Sequence, residues 1–362
     1  MNPRPDVRGD EDPPPDMNLI NNTNNPVSRS LAQATSIIAL QSFSQSSDRE
    51  LKFYFMDEKT KKVEESNLKL DFCYLDNDYP LMLYDSYDGL LLLKNKANPW
   101  RSIFVIWNPT TAEQVTITME GNLYFQVCGF YFNPRNNEYE VGLIYWEDGS
   151  FSFDILSFGS KLRRNIGRYA YMPRTERPPM IINGTLYWMV DKFRSDADVD
   201  CSNSIMTFEV ATNKLSTIQH GGAPCEAGYN FNLIGYKHDY MHLIEIEGQL
   251  GLCVLLSYTE LVLWALNAAT NSWAKAHAVT LPGYSMPIYF SCWPNKLDLE
   301  VVRIENGKLM VRQKNRLVLW DLGLNTHTIV EKKGFENDIF RPVIHTPSAV
   351  SLETDRLIQL DK

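Results

Sequence analysis

His238 and His242 stand four residues apart. On a helix that spacing turns both imidazoles to one side, where they could share a metal ion. The stretch around them, Tyr236 to Ile246, alternates apolar and polar residues as a strand does. On a strand the same spacing sets them roughly 13 Å apart, too far for one ion. The pair is therefore expected to hold no metal. Six cysteines, Cys73, Cys128, Cys201, Cys225, Cys253 and Cys292, lie no closer than 24 residues to one another. No C-x-x-C pair exists, so neither a zinc knuckle nor a disulfide framework is expected, and reduced thiols in the cytoplasm or nucleus are the simplest reading. No phosphate-cradling glycine loop, H-E-x-x-H or G-x-S-x-G stands in the sequence. The expectation is a chain without catalytic residues and without a cofactor.

Two other clusters carry chemistry of a binding kind. Asp71, Asp76, Asp78, Asp85 and Asp88 mingle with Tyr74, Tyr79, Tyr84 and Tyr87. A calcium loop needs a glycine at its sixth position and a distal glutamate, and neither is in place. The cluster reads as a solvated loop with packed tyrosines, or as a polar-aromatic binding rim in which Tyr84 and Tyr87 take part. Lys161, Arg163, Arg164, Arg168, Arg174 and Arg177 form a basic strip with one acid, Glu176. It reads either as an exposed connection or as a contact for an acidic or phosphorylated protein partner, which arginines grip bidentately. Trp107, Trp146, Trp188, Trp264 and Trp320 fall at strand positions and are read as core.

The net charge of −9 and pI near 5.3 leave too little basic surface for general phosphate binding, so no nucleic-acid partner is expected. The first sixteen residues lack the apolar run of a secretory signal, and the longest apolar stretch, Leu250 to Leu256, is too short to span a bilayer. No membrane role is expected.

The elements that must position these residues read as short strands. From Leu51 to about Val350, apolar runs are broken by Asn, Gly, Asp and Pro, and 12% of the chain is aromatic. One pattern recurs: an apolar residue, Thr or Ser four positions on, then another apolar residue. The copies start at Met56, Trp107, Leu156, Phe208, Leu266 and Leu322, spaced 49–58 residues apart. A glycine turn precedes several of them, at Asp88-Gly89, Asn183-Gly184, Glu247-Gly248 and Asn306-Gly307. Gly after Asn or Asp suits a tight hairpin, and Thr, Ser or Asn closes the second turn. Two hairpins make four strands, the unit of a propeller. The fold predicted is all-β and β-propeller-like, of about six four-stranded blades; an ordinary sandwich is the competing architecture. The domain division is 1–45 as a disordered extension, in which Leu31, Ala34, Ile38 and Ser42 could share one face of a short helix, 46–350 as the propeller, and 351–362 as a tail.

Several segments resemble the plant F-box-associated domain. They are Gly89-Leu90-Leu91, Ile106 to Thr111, Cys128 to Phe132 followed by Asn137 to Val141, Phe153 to Ser157, and Asn183-Gly184-Thr185-Leu186-Tyr187-Trp188. The likeness spans about residues 50–345. Leu162-Arg163 stands where that family usually has Trp, and the repeated double glycine of kelch blades is replaced by a single Gly221-Gly222. The resemblance implies a substrate-recognition propeller of a Skp-cullin-F-box ubiquitin ligase, acting in protein ubiquitination. An F-box itself is not recognisable in residues 1–45, so Skp adaptor and cullin are expected partners only if one is present. The implied partner is a protein substrate. The competing readings are an F-box-less decoy or scaffold, and a propeller enzyme with ionisable residues converging on a central cleft.

Overall fold

The computed structural model describes residues 37–41, 50–57, 60, 62–70, 81–95, 101–120, 125–195, 198–222, 238, 241–256, 260–280, 299–313, 316–324, 326–330, 342–352 and 357–360. All fall in one compact unit, Thr35–Lys362, and its named elements are β-strands. In chain order the first set is β1 (Ile37–Gln41), β2 (Glu50–Asp57) and β3 (Val63–Lys69). Next come β4 (Leu81–Tyr87), β5 (Leu90–Asn95), β6 (Arg101–Trp107) and β7 (Gln114–Glu120). They are followed by β8 (Gln126–Asn133), β9 (Glu138–Glu147), β10 (Ser150–Ser157) and β11 (Arg163–Tyr169). Then come β12 (Met180–Ile182), β13 (Thr185–Met189), β14 (Ile205–Glu209) and β15 (Lys214–Ile218). The last two full sets are β16 (Met241–Ile246), β17 (Gln249–Leu255), β18 (Glu260–Asn267) and β19 (Ser272–Thr280), and β20 (Leu299–Glu305), β21 (Lys308–Gln313), β22 (Arg316–Asp321) and β23 (Thr326–Val330). β24 (Pro342–His345) and β25 (Leu357–Leu360) complete the chain.

Each set is a four-stranded antiparallel blade paired in sequence order. The first is completed by the far end of the chain: β24 pairs with β1, with Ile38 opposite Ile344, in the order β24-β1-β2-β3. β25 adds to the outer edge of the second blade, parallel to β7. Blades are numbered one to six from the one that holds β1.

Strand alternation explains why the blades ring. In β5 the four leucines Leu90 to Leu93 are all fully buried. Leu90 and Leu92 pack with Phe130, Val141 and Leu143 of blade three. Leu91 and Leu93 point the other way and pack with Ala39, Phe53 and Phe55 of blade one. Successive side chains on a strand face opposite ways, so a blade buried on both faces must sit between two neighbours. Blades three and four share Phe153, Trp188 and Phe208. Blades four and five share Ile205 and Leu252. Blades five and six share Leu263 and Leu309, and six and one share Met310 and Ile38. These clusters close the circuit, and β16 touches β20 through the parallel pair Ile246 and Ile304.

The recurring sequence pattern is the turn from third to fourth strand in every blade. Its fastening is a side-chain oxygen at the strand end: Asp57 Oδ1 accepts from Thr60 N at 2.6 Å, and Asn108 Oδ1 from Thr110 N at 2.9 Å. Asn267 Oδ1 accepts from Ala269 N at 2.9 Å, and Asp321 Oδ1 from Gly323 N at 3.0 Å. The sixth copy begins on Trp320, directly before the capping Asp321, rather than on Leu322, because the cap and not the later threonine defines the turn.

Three expectations are corrected. Ile37–Gln41 is a strand, not part of a helix. Ile38 and Leu40 bury on one side and Ala39 on the other, a period of two that β2 and β24 supply with hydrogen-bond partners. Residues 29–36 and Ser42 of that expected helix lie outside the described residues. The blades therefore begin before residue 46, and 351–362 contributes a strand. Of the strand expected from Tyr236, Met241–Ile246 is described as strand and holds His242, while His238 is not on a strand; residues 236, 237, 239 and 240 lie outside the described residues.

Candidate partner-binding face

In a blade that runs up, down, up and down, the first and third turns lie at one end. The second turn and the link to the next blade lie at the other. The first turns are tight. Asp88-Gly89, Asn183-Gly184, Glu247-Gly248 and Asn306-Gly307 each have both residues at positive φ, between 49° and 80°, the geometry that matches strand twist. This end is the hairpin face. Among the described residues, the opposite end carries residues 170–179 between blades three and four, and 190–195 and 198–204 within blade four. It is the link face.

The link of residues 170–179 is held across the start of the innermost strands. Tyr84 Oη donates to the Arg177 carbonyl at 2.8 Å, and Lys94 Nζ to the Val127 carbonyl at 3.2 Å and to that of Thr175. Thr175 Oγ1 bonds Gln126 on β8. Arg174 N donates to the Met189 carbonyl at 2.9 Å, and Pro173 bridges Val190. Arg177 Nη1 lies 3.7 Å from Glu300 Oε1 on β20, and Arg312 Nε donates to Glu300 Oε2 at 3.0 Å. These contacts belong to blades two, three, four and six, so the link lies over the centre of the ring. Burial, then the charges of Arg177 and Arg174, push His242 well below the usual imidazole range. It is neutral at pH 7. Asp191 is shifted upward, chiefly by burial and then by Glu176, with Arg194 and Arg174 opposing. The mouth thus gathers ionisable groups, with Glu300 held between two arginines.

The basic strip does not act as one surface. Arg163 Nε donates to the buried Asp154, and its guanidinium lies 4.6 Å from the Phe125 ring centre. Arg164 donates to both oxygens of Glu140 at 2.9 and 3.0 Å, and Glu140 is fully buried. Asn133, Asn136 and Ser157 also bond that carboxylate. Both arginines stand near the hairpin face as internal fasteners. Arg168 is half exposed at the other end of β11, 3.1 Å from Asp148. Arg174 and Arg177 belong to the link over the ring centre. Tyr84 is fully buried, so its place is in the core rather than on an exposed rim. Tyr87 is half-buried near the hairpin face, edge-on to Phe130, and burial raises its hydroxyl. Asp71, Tyr74, Asp76, Asp78 and Tyr79 lie outside the described residues; Asp88 accepts from Tyr139 Oη.

Sequence reasoning missed two aromatic side chains on the link face. Phe193 is 73% exposed on the turn that Asp191 Oδ1 closes through Phe193 N at 3.0 Å. Trp146, read as core, is 46% exposed at the second turn of blade three, against Phe151 at 4.7 Å. Arg194 flanks Phe193, pairing with Asp191 at 3.5 Å and Glu176 at 3.6 Å. No local signal separates Phe193 from a buried phenylalanine, because its exposure depends on how the connection between β13 and β14 sits in the fold.

Residues 39–355 match the family model of the F-box associated beta propeller domain. No curated protein sequence matches the chain. Among solved structures, the nidogen/laminin complex is 10% identical, covers 87% of this chain and 100% of its own, and superposes with a TM-score of 0.47. An oligogalacturonate lyase in complex with manganese is 9% identical, covering 83% of this chain and 79% of its own at 0.42. The oligogalacturonate lyase of Vibrio parahaemolyticus is 10% identical, covering 79% and 86% at 0.40. At such identities and scores they assign neither fold nor function to this chain.

Proposed function

Because the chain belongs to the F-box associated beta propeller family, we propose that it is a non-enzymatic, protein-binding module that recognises a substrate of a Skp-cullin-F-box ubiquitin ligase in the cytoplasm or nucleus. The observation that carries this reading is the end opposite the tight first turns, where Phe193, on the connection within blade four, and Trp146, beside the Asp148-Gly149 turn of blade three, stand exposed. Large aromatics set among arginines are the side chains that dominate protein interfaces. Phe193 and Trp146 act as anchors, and Arg168 and Arg194, paired with Glu147, Asp148, Glu176 and Asp191, as a mixed-charge rim. Glu300, tied between Arg177 and Arg312, holds the link to blade six.

The test is affinity capture of the tagged full chain from plant cells, followed by quantitative mass spectrometry. Recovery of Skp and cullin subunits, with the wild type and with the Phe193→Ala/Trp146→Ala double variant alike, would support ligase membership, which requires an F-box. A further protein should fall at least about tenfold with the double variant, equivalent to about 1.4 kcal/mol. Absence of Skp and cullin would remove the ligase reading, and unchanged recovery of every partner would remove the anchors.

A further inference from the structure

The link face brings together three metal-binding side chains that the sequence scatters. Cys201 lies in the second connection of blade four, and His220 and His238 in the link from β15 to β16, spaced 19 and 18 residues apart. Their ligand atoms, one from each residue, all lie within 4.8 Å of one another. His220 and His238 are 2% and 1% exposed, and Cys201 is half-buried. The two rings meet at 5.0 Å between centres and 72° between planes.

Cys201 and His220 are seated by their own neighbours. Ser202 N and Oγ donate to Asp200 Oδ1 at 2.7 and 2.6 Å, and Ser204 Oγ to the Cys201 carbonyl at 3.1 Å, which fixes the turn that carries the thiol. His220 N donates to the same carbonyl at 3.3 Å and joins the two segments. His220 Nδ1 lies 2.6 Å from the Gly221 carbonyl oxygen. A carbonyl only accepts, so Nδ1 carries the proton and Nε2 the lone pair, the arrangement by which outer partners set a ligating histidine. Gly221 lets the chain pass the face of Trp273: a Cβ there would stand 2.8 Å from the ring. Burying two imidazoles beside a thiol costs free energy that aliphatic side chains would not, and coordination recovers it.

We propose that Cys201, His220 and His238 bind a Zn²⁺ ion with solvent in the fourth position, clamping the blade-four connection to the link that leads into blade five. Thiolate and imidazole together favour zinc over the oxygen-seeking cations. Ligand distances of about 2.0–2.3 Å require the three donors to draw slightly together on loading. The proposal stands whether or not the chain serves a ligase.

The test titrates the metal-stripped full chain with Co²⁺ as an optical probe for zinc. The wild type should take up one ion per chain, with tetrahedral ligand-field bands and a thiolate-to-cobalt charge-transfer band that Zn²⁺ abolishes by displacement. Cys201→Ser should lose the charge-transfer band. His220→Ala and His238→Ala should each weaken uptake by at least about tenfold, while exposed His277→Ala should leave it unchanged. A second measurement needs no variant: Zn²⁺ should slow alkylation of Cys201 in the wild type by at least about tenfold, as liganded thiolates cease to be nucleophiles. Wild-type protein that binds no Co²⁺, a charge-transfer band that survives Cys201→Ser, or a Cys201 alkylation rate indifferent to zinc would each overturn the proposal.

Discussion

The hairpin face and the link face are built from the same blades yet obey different rules. At the hairpin face each turn is solved within a few residues. At the third turns of blades one, two, five and six an Asp or Asn side chain caps the next amides, and the tight first turns reverse the chain through residues with positive φ. At the link face the segment 170–179 finds its partners on blades two, three, four and six. Local chemistry thus closes one end and tertiary chemistry builds the other. The first has little freedom to vary without loss of fold; the second can carry exposed aromatics and clustered donors at small cost in stability.

Substitutions that separate the two ends test this division. The largest loss is expected at Gly89, whose φ is +80° and whose added Cβ would stand 2.6 Å from the Ser348 backbone nitrogen. Gly89→Ala should cost about 4 kcal/mol in urea unfolding, combining backbone strain with overpacking. Next, Glu140→Ala removes a fully buried carboxylate from Arg164, Asn133, Asn136 and Ser157. A loss of about 3 kcal/mol is expected, at the low end for a broken buried pair because Arg164 still reaches water.

Acid supplies a comparable effect. Burial lowers His345 to about 4 from an ordinary 6.5. Between those values the unfolded chain binds the proton and the folded chain does not, so stability rises with pH across the window and is lost as pH falls toward 4. The His345 contribution is at most about 3 kcal/mol, and His345→Gln should flatten the urea midpoint between pH 7 and 4.5. Gly248→Ala is milder: φ is +78° but nothing lies within 4 Å of the added Cβ, so about 1 kcal/mol is expected. Phe193→Ala closes the series with a stability change below about 0.5 kcal/mol, since its ring is exposed. Its effect should appear in partner capture.

Much of the ring was legible because its signals are local. The turn after each third strand needs a capping oxygen and a hydrophobic stop within five residues, so six blades could be counted from Met56, Trp107, Leu156, Phe208, Leu266 and the region of Leu322. The tight first turns were legible for the same reason, at Asn183-Gly184 and Asn306-Gly307. β1 was not, because five residues paired to Pro342–His345 across three hundred positions carry no local mark of a strand. The candidate site was read far less well. Arg163 and Arg164 looked like surface cations, since nothing nearby in sequence shows that Asp154 and Glu140 are buried behind them. Cys201, His220 and His238 have no shared motif, and only the fold brings them together.

Hydrogen–deuterium exchange on the full chain, free and with a captured partner, tests most directly which end recognises. Slowed exchange is expected in residues 146–149, 170–179 and 190–195, with Asp88-Gly89, Asn183-Gly184, Glu247-Gly248 and Asn306-Gly307 unchanged. Slowed exchange at those four hairpins, with the link segments unchanged, would contradict it.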